Sequence, residues 1–296
     1  MRLRFLKIDP VCVMRRIGLA FFVVTTASQV TAQQHSAPGD VVSIGGSITE
    51  IIYALGAQDR LLARDSTSLF PAQTQDLPSV GYVRALSPEG VLSVGPQLII
   101  AQEGAGPPEA VDVLRNSSVT YVDVPNTPSV AGVIDKILIV GQALGMPDKA
   151  DALARSVSDN LQAALDAVAT QPVDQRRVMF VLSTQGGRIM ASGTNTAADA
   201  IITLAGGENV MRAFEGYKAV TEEAVAVAQP DVVLMMDRGG EHSNSNAELW
   251  SLPAFADTPA ARRDAVIRMN GLLLLGFGPR TPQAIADLHN TLLGGS

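Results

Sequence analysis

An internal repeat constrains the fold of this chain more than any other sequence feature. Residues 86–100 open with Leu-Ser-Pro-Glu and end with Pro-Gln-Leu-Ile-Ile, while residues 220–234 open with Val-Thr-Glu-Glu and end with Pro-Asp-Val-Val-Leu. Each segment predicts a helix capped by Ser or Thr, with an acidic residue two places on, then a proline and a buried strand. A second pair, residues 45–56 and 193–206, recurs in the same order. Any α/β chain gives some chance matches, but two pairs in one order favour two related halves that face each other across a cleft, where ligands often bind.

Predicted strands and helices alternate in both halves. We expect buried strands at 41–44, 61–64, 98–101, 119–122, 178–182, 232–235 and 265–268, and helices at 47–55, 130–144, 147–169 and 197–204. Such alternation is typical of helices packed on a parallel sheet, so the predicted fold class is α/β, with two Rossmann-like lobes and central parallel sheets. The predicted organisation is an N-terminal lobe at 38–127, linking helices at 128–172 and a C-terminal lobe at 173–296, with one long helix as a stiff connection.

The N-terminus has the pattern of an export signal. Arg15 and Arg16 supply a positive region, residues 17–24 an apolar core too short to span a bilayer, and residues 30–32 a small-residue cleavage site. We therefore expect residues 1–32 to be removed near Ala32 and the protein to be in the periplasm; a buried N-terminal helix is the alternative. Cys12, the only cysteine, precedes the apolar core, so it is not placed for lipid attachment and the mature chain would contain no thiol.

Composition and motifs narrow the function classes. The net charge of -7, with scattered Lys and Arg, argues against nucleic acid or an anionic membrane as the partner and favours a small ligand or a protein. The three histidines, His35, His242 and His289, are far apart in the sequence, which disfavours a binding protein for bare zinc or manganese. The chain has no phosphate-binding loop and no nucleophile motif, so we do not expect an enzyme.

The segment Gly81-Tyr-Val-Arg84 carries the most specific chemistry. It precedes a predicted helix start, and strand-to-helix loops lie at the end of a lobe that faces a cleft. A phenol oxygen is a hard ligand suited to ferric iron, and tyrosine can hold haem iron. Arg84 is expected to lie in an extended segment on the same side as Tyr82 and to stabilise the phenolate. Taken alone, the triplet is also compatible with a surface tyrosine beside an unrelated arginine.

Over nearly the whole mature chain the sequence resembles the periplasmic haem-binding proteins of Gram-negative haem importers, which are class III periplasmic substrate-binding proteins. The matching segments are residues 64–68, 77–92, 195–200, 274–278 and 281–282. The resemblance implies two lobes joined by a single rigid helix, with haem b as the transported ligand. It also implies that Tyr82 is the axial iron ligand and that Arg84 hydrogen-bonds to it. The implied partner is an inner-membrane ABC permease dimer with its ATPase, and the implied state is a monomer.

The opposite wall of the predicted site departs from part of that family. Some members carry a histidine after the strand that here spans 178–182, whereas this chain has Ser-Thr-Gln-Gly at 183–186, so a five-coordinate iron is expected. By position we assign Gln185, Arg188 and Met190 to this wall. Lys218 is placed near a haem propionate, although a solvated surface lysine is an equal alternative.

Glu89 and Glu223 form the second predicted functional pair. Both begin helices at equivalent points of the repeat, and in importers of this type such glutamates dock on arginines of the permease. The alternative is an acidic residue favoured by the helix dipole, and both can hold. Three other functions stay open: a binding protein for a ferric siderophore, one for cobalamin, or a soluble haem chaperone that would not need the paired glutamates.

Overall fold

The computed structural model describes residues 39–173, 176–237 and 245–294. The predicted signal peptide at 1–32, His35 and His242 lie outside these residues. No helix within the described ranges is long and apolar enough to cross a membrane.

The first half is built on a fully parallel sheet. Its strands are β1 (Val41–Ile44), β2 (Leu61–Arg64), β3 (Gly81–Tyr82), β4 (Ala85–Leu86), β5 (Leu98–Gln102) and β6 (Thr120–Val124). Four of them form the sheet in the order β2-β1-β5-β6, and β3 pairs with β4 as a separate antiparallel hairpin. Every residue of β1 is buried, because helices and loops cover both faces of a parallel sheet. The four predicted strands of this half are therefore confirmed.

Helices cover this sheet and lead out of it. They are α1 (Gly46–Ala54), α2 (Pro88–Leu92), α3 (Pro108–Arg115), α4 (Val130–Ala143) and α5 (Pro147–Thr170). The 24-residue α5 is about 36 Å long at the usual rise per residue. It packs against α4, where a side chain at Gly141 would overlap Ala150, and against the C-terminal helix described below. The predicted long connecting helix is thus present, and it contacts elements of both halves.

The second half contains a mixed sheet. Its elements are β7 (Arg177–Ser183), β8 (Ile189–Ser192), α6 (Ala197–Leu204), β9 (Glu208–Asn209), β10 (Tyr217–Val220), α7 (Glu222–Ala228), β11 (Val232–Asp237), α8 (Asn246–Trp250), α9 (Pro259–Arg262), β12 (Val266–Asn270), α10 (Gly271–Leu275) and α11 (Thr281–Gly294). The strand order is β10-β8-β7-β11-β12, with β9 parallel to β7. The predicted strands β7, β11 and β12 are parallel, as expected, but β8 and β10 extend the sheet as antiparallel strands that the sequence did not indicate.

One apolar cluster runs through both halves. It includes Ile48 of α1, Ile137 of α4, Leu161 of α5, Phe180 of β7 and Leu288 of α11, all fully buried. Two further clusters fill the outer faces of the two sheets. The described residues from Gly39 onward consequently pack as one compact unit, and the exact boundaries of the two predicted lobes stay a prediction.

Candidate functional site

A cavity of about 710 Å³ lies between the two halves. The first half contributes the start of α1, the loop after β2, the β3–β4 hairpin and the ends of β5 and β6. The second half contributes the ends of β11 and β12 together with α10. Open parallel sheets place ligands beyond the carboxyl ends of their strands, and both sheets direct those ends towards this cavity. The volume is within the range usual for small-molecule sites.

Close backbone packing brings the halves together at one end of this cavity. Gly46 at the start of α1 lies against Leu272 of α10, and a Cβ at this position would come within 2.6 Å of a Leu272 methyl group. It would also come within 2.8 Å of the Thr67 carbonyl oxygen. Only glycine fits this contact, which therefore fixes how closely α1 and α10 approach each other.

Tyr82 and Arg84 both line the cavity, and the β3–β4 hairpin holds them there. Val83 is buried, so it anchors the turn in the core while its neighbours point outward. Backbone hydrogen bonds from Ser66 to Gly81 (2.7 Å) and from Gly106 to Val83 (2.9 Å) fix the hairpin. The Tyr82 side chain is consequently presented from a rigid support, with 49% of the residue exposed.

The local conformation of Arg84 differs from the expected extended one. Val83 and Arg84 form the two-residue turn between β3 and β4, because Tyr82 pairs with Ala85 across the hairpin. Within the described part of the chain, no hydrogen bond joins the Arg84 guanidinium to the Tyr82 hydroxyl. The expected contact between these two groups therefore stays a prediction for the ligand-bound protein.

Arg84 also acts on a tyrosine of the second half. Burial raises the pKa of the Tyr217 phenol, while hydrogen bonds with Thr196, Ala198 and Ser192 and the positive charge of Arg84 oppose that rise. The Tyr217 ring also packs edge-on against Phe180, with centroids 6.2 Å apart. Tyr217 thus lies within the electrostatic reach of Arg84, but its phenol is already engaged by its own half of the protein.

The three residues assigned by position to the opposite wall, and Lys218, which was expected near a propionate, lie elsewhere on the second half. Gln185 and Arg188 are exposed in the connection between β7 and β8, Met190 lies in β8, and Lys218 lies in β10 with its ammonium 5.6 Å from the centre of the Phe214 ring. None of the four is among the residues that line the described cavity. Their part in ligand binding stays a prediction.

The wall that the structure shows comes from the carboxyl ends of two parallel strands and from α10. Met236 and Asp237 end β11, Asn270 ends β12, and Leu272 and Leu275 belong to α10. The sequence did carry a signal for this wall, since β11 and β12 were predicted as buried strands. The residue that follows a parallel strand at its carboxyl end is a general candidate for ligand contact.

Glu89 and Glu223 occupy matching positions in α2 and α7, and both are exposed. Hydrogen bonding at the helix start, from the backbone N–H of the glutamate and from the hydroxyl of the N-cap residue, lowers the pKa of both glutamates. The Ser87 hydroxyl donates to Glu89 at 2.8 Å, and Thr221 is the corresponding residue before Glu223. Both N-cap hydroxyls also accept from the backbone N–H three residues on, Ser87 from Gly90 and Thr221 from Ala224, so the two halves repeat one helix start.

No group of three or more His, Asp or Glu side chains in the described ranges is arranged to hold a bare metal ion. The site is a cavity between two α/β halves, with polar groups and one exposed phenol on one side. The other side combines Met236, Leu272 and Leu275 with the polar residues Asp237 and Asn270. Such a cavity is typical of a protein that binds a small molecule.

Sequence comparison identifies the class directly. The profile of the family described as periplasmic binding protein matches residues 41–271, and the chain belongs to that family.

Individual relatives place it more closely. The periplasmic heme-binding protein BhuT, whose structure was solved in complex with two hemes, is 41% identical in sequence to this chain. The two structures superpose with a TM-score of 0.82, and the match covers 86% of this chain and 98% of BhuT. The apo form of the periplasmic heme-binding protein RhuT from Roseiflexus sp. RS-1 is 38% identical, with a TM-score of 0.83 and coverage of 88% and 99%. A vitamin B12-binding protein of Vibrio cholerae is 28% identical over 250 residues, which are 84% of this chain and 87% of the relative. All three are named as binding proteins and none as an enzyme.

Proposed function

We propose that this protein captures ferric haem b in the cavity between its halves and delivers it to an inner-membrane ABC permease dimer with its ATPase. It does so as an exported monomer in the periplasm. The observation that carries the proposal is the Tyr82 phenol, exposed from a fixed hairpin into a cavity of about 710 Å³.

The chemistry of this phenol suits ferric iron. A free phenol is protonated at neutral pH, but a bound ferric ion favours the phenolate through its own charge. Arg84 lines the same wall and adds a positive charge close by. Because the connection after β7 carries no histidine, Tyr82 is the single axial ligand and the iron is five-coordinate.

The remaining lining suits a flat apolar ring. Leu69, Met236, Leu272 and Leu275 present aliphatic and thioether surface to the cavity. Such side chains adapt to a porphyrin face without needing an aromatic partner. The low aromatic content of the chain is therefore compatible with a tetrapyrrole ligand.

Cobalamin is the second candidate, and the similarity to the vitamin B12-binding protein of Vibrio cholerae favours it. Haem is the better proposal because the two more similar relatives are named as haem-binding proteins, and because Tyr82 offers an iron ligand for which cobalamin has no comparable use.

Delivery to a permease is supported by the repeated glutamates. Two exposed carboxylates with the same helix-start geometry, one on each half, suit a partner made of two similar subunits. A soluble haem chaperone would have no need of this duplication.

Titration with hemin and, separately, with cyanocobalamin tests the ligand. With hemin, we expect the visible spectrum of a ferric high-spin haem, which saturates as the protein is filled. With cyanocobalamin, we expect no saturable change in the fluorescence of the protein. Binding of cobalamin with higher affinity than haem would reverse the choice between the two ligands.

A further inference from the structure

A buried lysine lies directly beneath the cavity. Lys136 of α4 is only 1% exposed. Its ammonium donates to Ser47 Oγ at 3.0 Å, to Asn126 Oδ1 at 3.0 Å and to the Gly276 carbonyl oxygen at 3.1 Å. All three acceptors line the cavity, two from the first half and one from the second. The ammonium is thus held by the cavity floor itself.

The charge of Lys136 is not neutralised by a carboxylate. Its three hydrogen-bond acceptors are neutral, and no ion pair within 4 Å involves it among the described residues. Burial lowers its pKa to about 8, and the negative charge of Glu50 only partly offsets this. At neutral pH the side chain therefore remains mostly protonated.

Glu50, in the neighbouring helix α1, is already paired. Its carboxylate accepts from the Arg280 guanidinium at 3.0 Å and from the Arg280 backbone N–H at 3.1 Å. This group therefore contains two cations, the buried Lys136 and the partly exposed Arg280, and one buried anion, Glu50.

The other buried carboxylate near the start of α1 is satisfied locally. Asp65 accepts from the backbone N–H groups of Gly45 and Thr67 and from the hydroxyls of Thr67 and Ser68. Of the charged residues that line the cavity, Arg84 is positive and Asp237 is negative. Lys136 adds a second positive charge to the site, and this charge lies beneath the part of the cavity wall that is formed by Ser47, Asn126 and Gly276, which we call the floor.

Burying an ammonium without a counter-ion costs free energy unless another charge offsets it. A buried ionisable group with a shifted pKa beside a cavity is a recognised mark of a functional site. Because Ser47 Oγ accepts from Lys136, its own hydroxyl hydrogen is left to donate to a ligand oxygen. The ammonium would polarise this hydroxyl and favour a negative oxygen in contact with it.

We propose that Lys136 is a positioning residue that selects ligands carrying carboxylate groups, by stabilising a carboxylate on the floor formed by Ser47, Asn126 and Gly276. The inference rests on the proposed haem function, since haem carries two propionates. It also gives a physical reason for preferring haem to a tetrapyrrole whose side chains are amides.

The test compares ferric haem with its dimethyl ester, in which both propionates are neutral. We expect the wild-type protein to bind haem about tenfold more tightly than the ester at pH 7. In Lys136→Met and Lys136→Gln, haem binding should weaken about tenfold while ester binding changes less than about twofold. The glutamine variant keeps a hydrogen-bond donor for the floor, and thermal unfolding checks that both variants are folded.

Lys149→Met is the matched control, because within the described ranges this lysine of α5 bonds only to the Leu55 carbonyl oxygen, at 3.4 Å, and does not line the cavity. Equal weakening of haem and ester in folded Lys136 variants would overturn the inference and leave Lys136 only as a link between the halves. A wild-type protein that binds the ester as well as haem would also overturn it while leaving the proposed function intact. A wild-type protein that binds neither ligand would instead overturn the proposed function.

Discussion

Tyr82 in the first half and Tyr217 in the second both follow a glycine and lie shortly before the N-cap of a matched helix, α2 or α7. Tyr82 is 49% exposed and its hydroxyl has no hydrogen bond within the described chain. Tyr217 is half-buried, and burial raises the pKa of its phenol, while the nearby polar groups of Thr196, Ser192 and Ala198 oppose that rise. The two tyrosines therefore have similar positions in the two halves but different roles, since the Tyr82 phenol is free for a ligand and the Tyr217 phenol stabilises its own half.

The supporting strands explain this difference. β3 and β4 have two residues each and form a separate two-stranded sheet outside the main sheet, so the Tyr82 side chain projects from the surface. β10 pairs with β8 along four residues, and Tyr217 lies directly opposite Ser192. Because β10 is part of the sheet, its tyrosine packs against Phe180 rather than into the cavity.

The largest expected effect comes from removing one hydroxyl from each tyrosine. Tyr82→Phe should weaken haem binding about 100-fold, a loss of about 2.7 kcal/mol, because the iron loses its oxygen ligand. Absorption titration with hemin would also show loss of the phenolate-to-iron band. Tyr217→Phe should keep that band and lose about 1 kcal/mol of unfolding free energy, because the polar contacts of this half-buried hydroxyl are removed. A retained band in Tyr82→Phe together with a lost band in Tyr217→Phe would reverse the comparison.

Reversing the charge of Glu89 or Glu223 tests whether the two halves contribute equally to association with the permease. Glu89→Lys and Glu223→Lys should each slow association with the reconstituted permease about tenfold, because rim charges steer encounter, while haem affinity stays unchanged. Glu222→Lys is the matched control, since Glu222 is also exposed in the first turn of α7 and meets the same helix dipole. If the Glu222 and Glu223 variants behave alike, the glutamates serve the helix and not the partner.

Replacing Arg84, which lines the cavity, or Arg188, which was assigned to the opposite wall by position only, should have a smaller effect. Arg84→Ala should weaken haem binding about fivefold, because a positive charge near the phenolate is lost. The cavity lining favours a smaller effect for Arg188→Ala, because Arg188 lies in the connection between β7 and β8. Isothermal titration of both variants checks this order, and a larger loss for Arg188→Ala would restore the wall first assigned from position.

The sequence predicted the framework of the fold because its signals are local. β1, β5 and α5 follow directly from apolar periodicity, and the repeated helix starts follow from the capping residues Ser87 and Thr221. The antiparallel strands β8 and β10 were missed because β10 has no buried residue to give an apolar pattern, and because the pairing of β8 with β10 joins segments that are distant in the sequence.

The residues that line the described cavity match the residues predicted from sequence on one side only, and the roles predicted for Gln185, Arg188, Met190 and Lys218 stay predictions. Tyr82 and Arg84 belong to one short motif, whereas the facing wall is assembled from β11, β12 and α10, whose ends meet only in three dimensions. Lys136 gave no signal, because a lysine within an apolar helix does not reveal that its ammonium reaches Ser47 and Gly276, which are far away in the sequence.

The smallest expected effect concerns pH at the two helix starts. Hydrogen bonds lower the pKa of Glu89 and Glu223, so each carboxylate stays charged as the pH falls, until it passes the lowered pKa. Permease association should therefore change less than about twofold between pH 7 and pH 5. Ser87→Ala and Thr221→Ala remove the hydroxyl donors, so in these variants the loss of association should begin at a higher pH than in the wild type. Surface plasmon resonance across this pH range measures the association with the permease, and haem affinity is the control. A steep loss of association between pH 7 and pH 6 would mean that a group other than these two carboxylates controls docking.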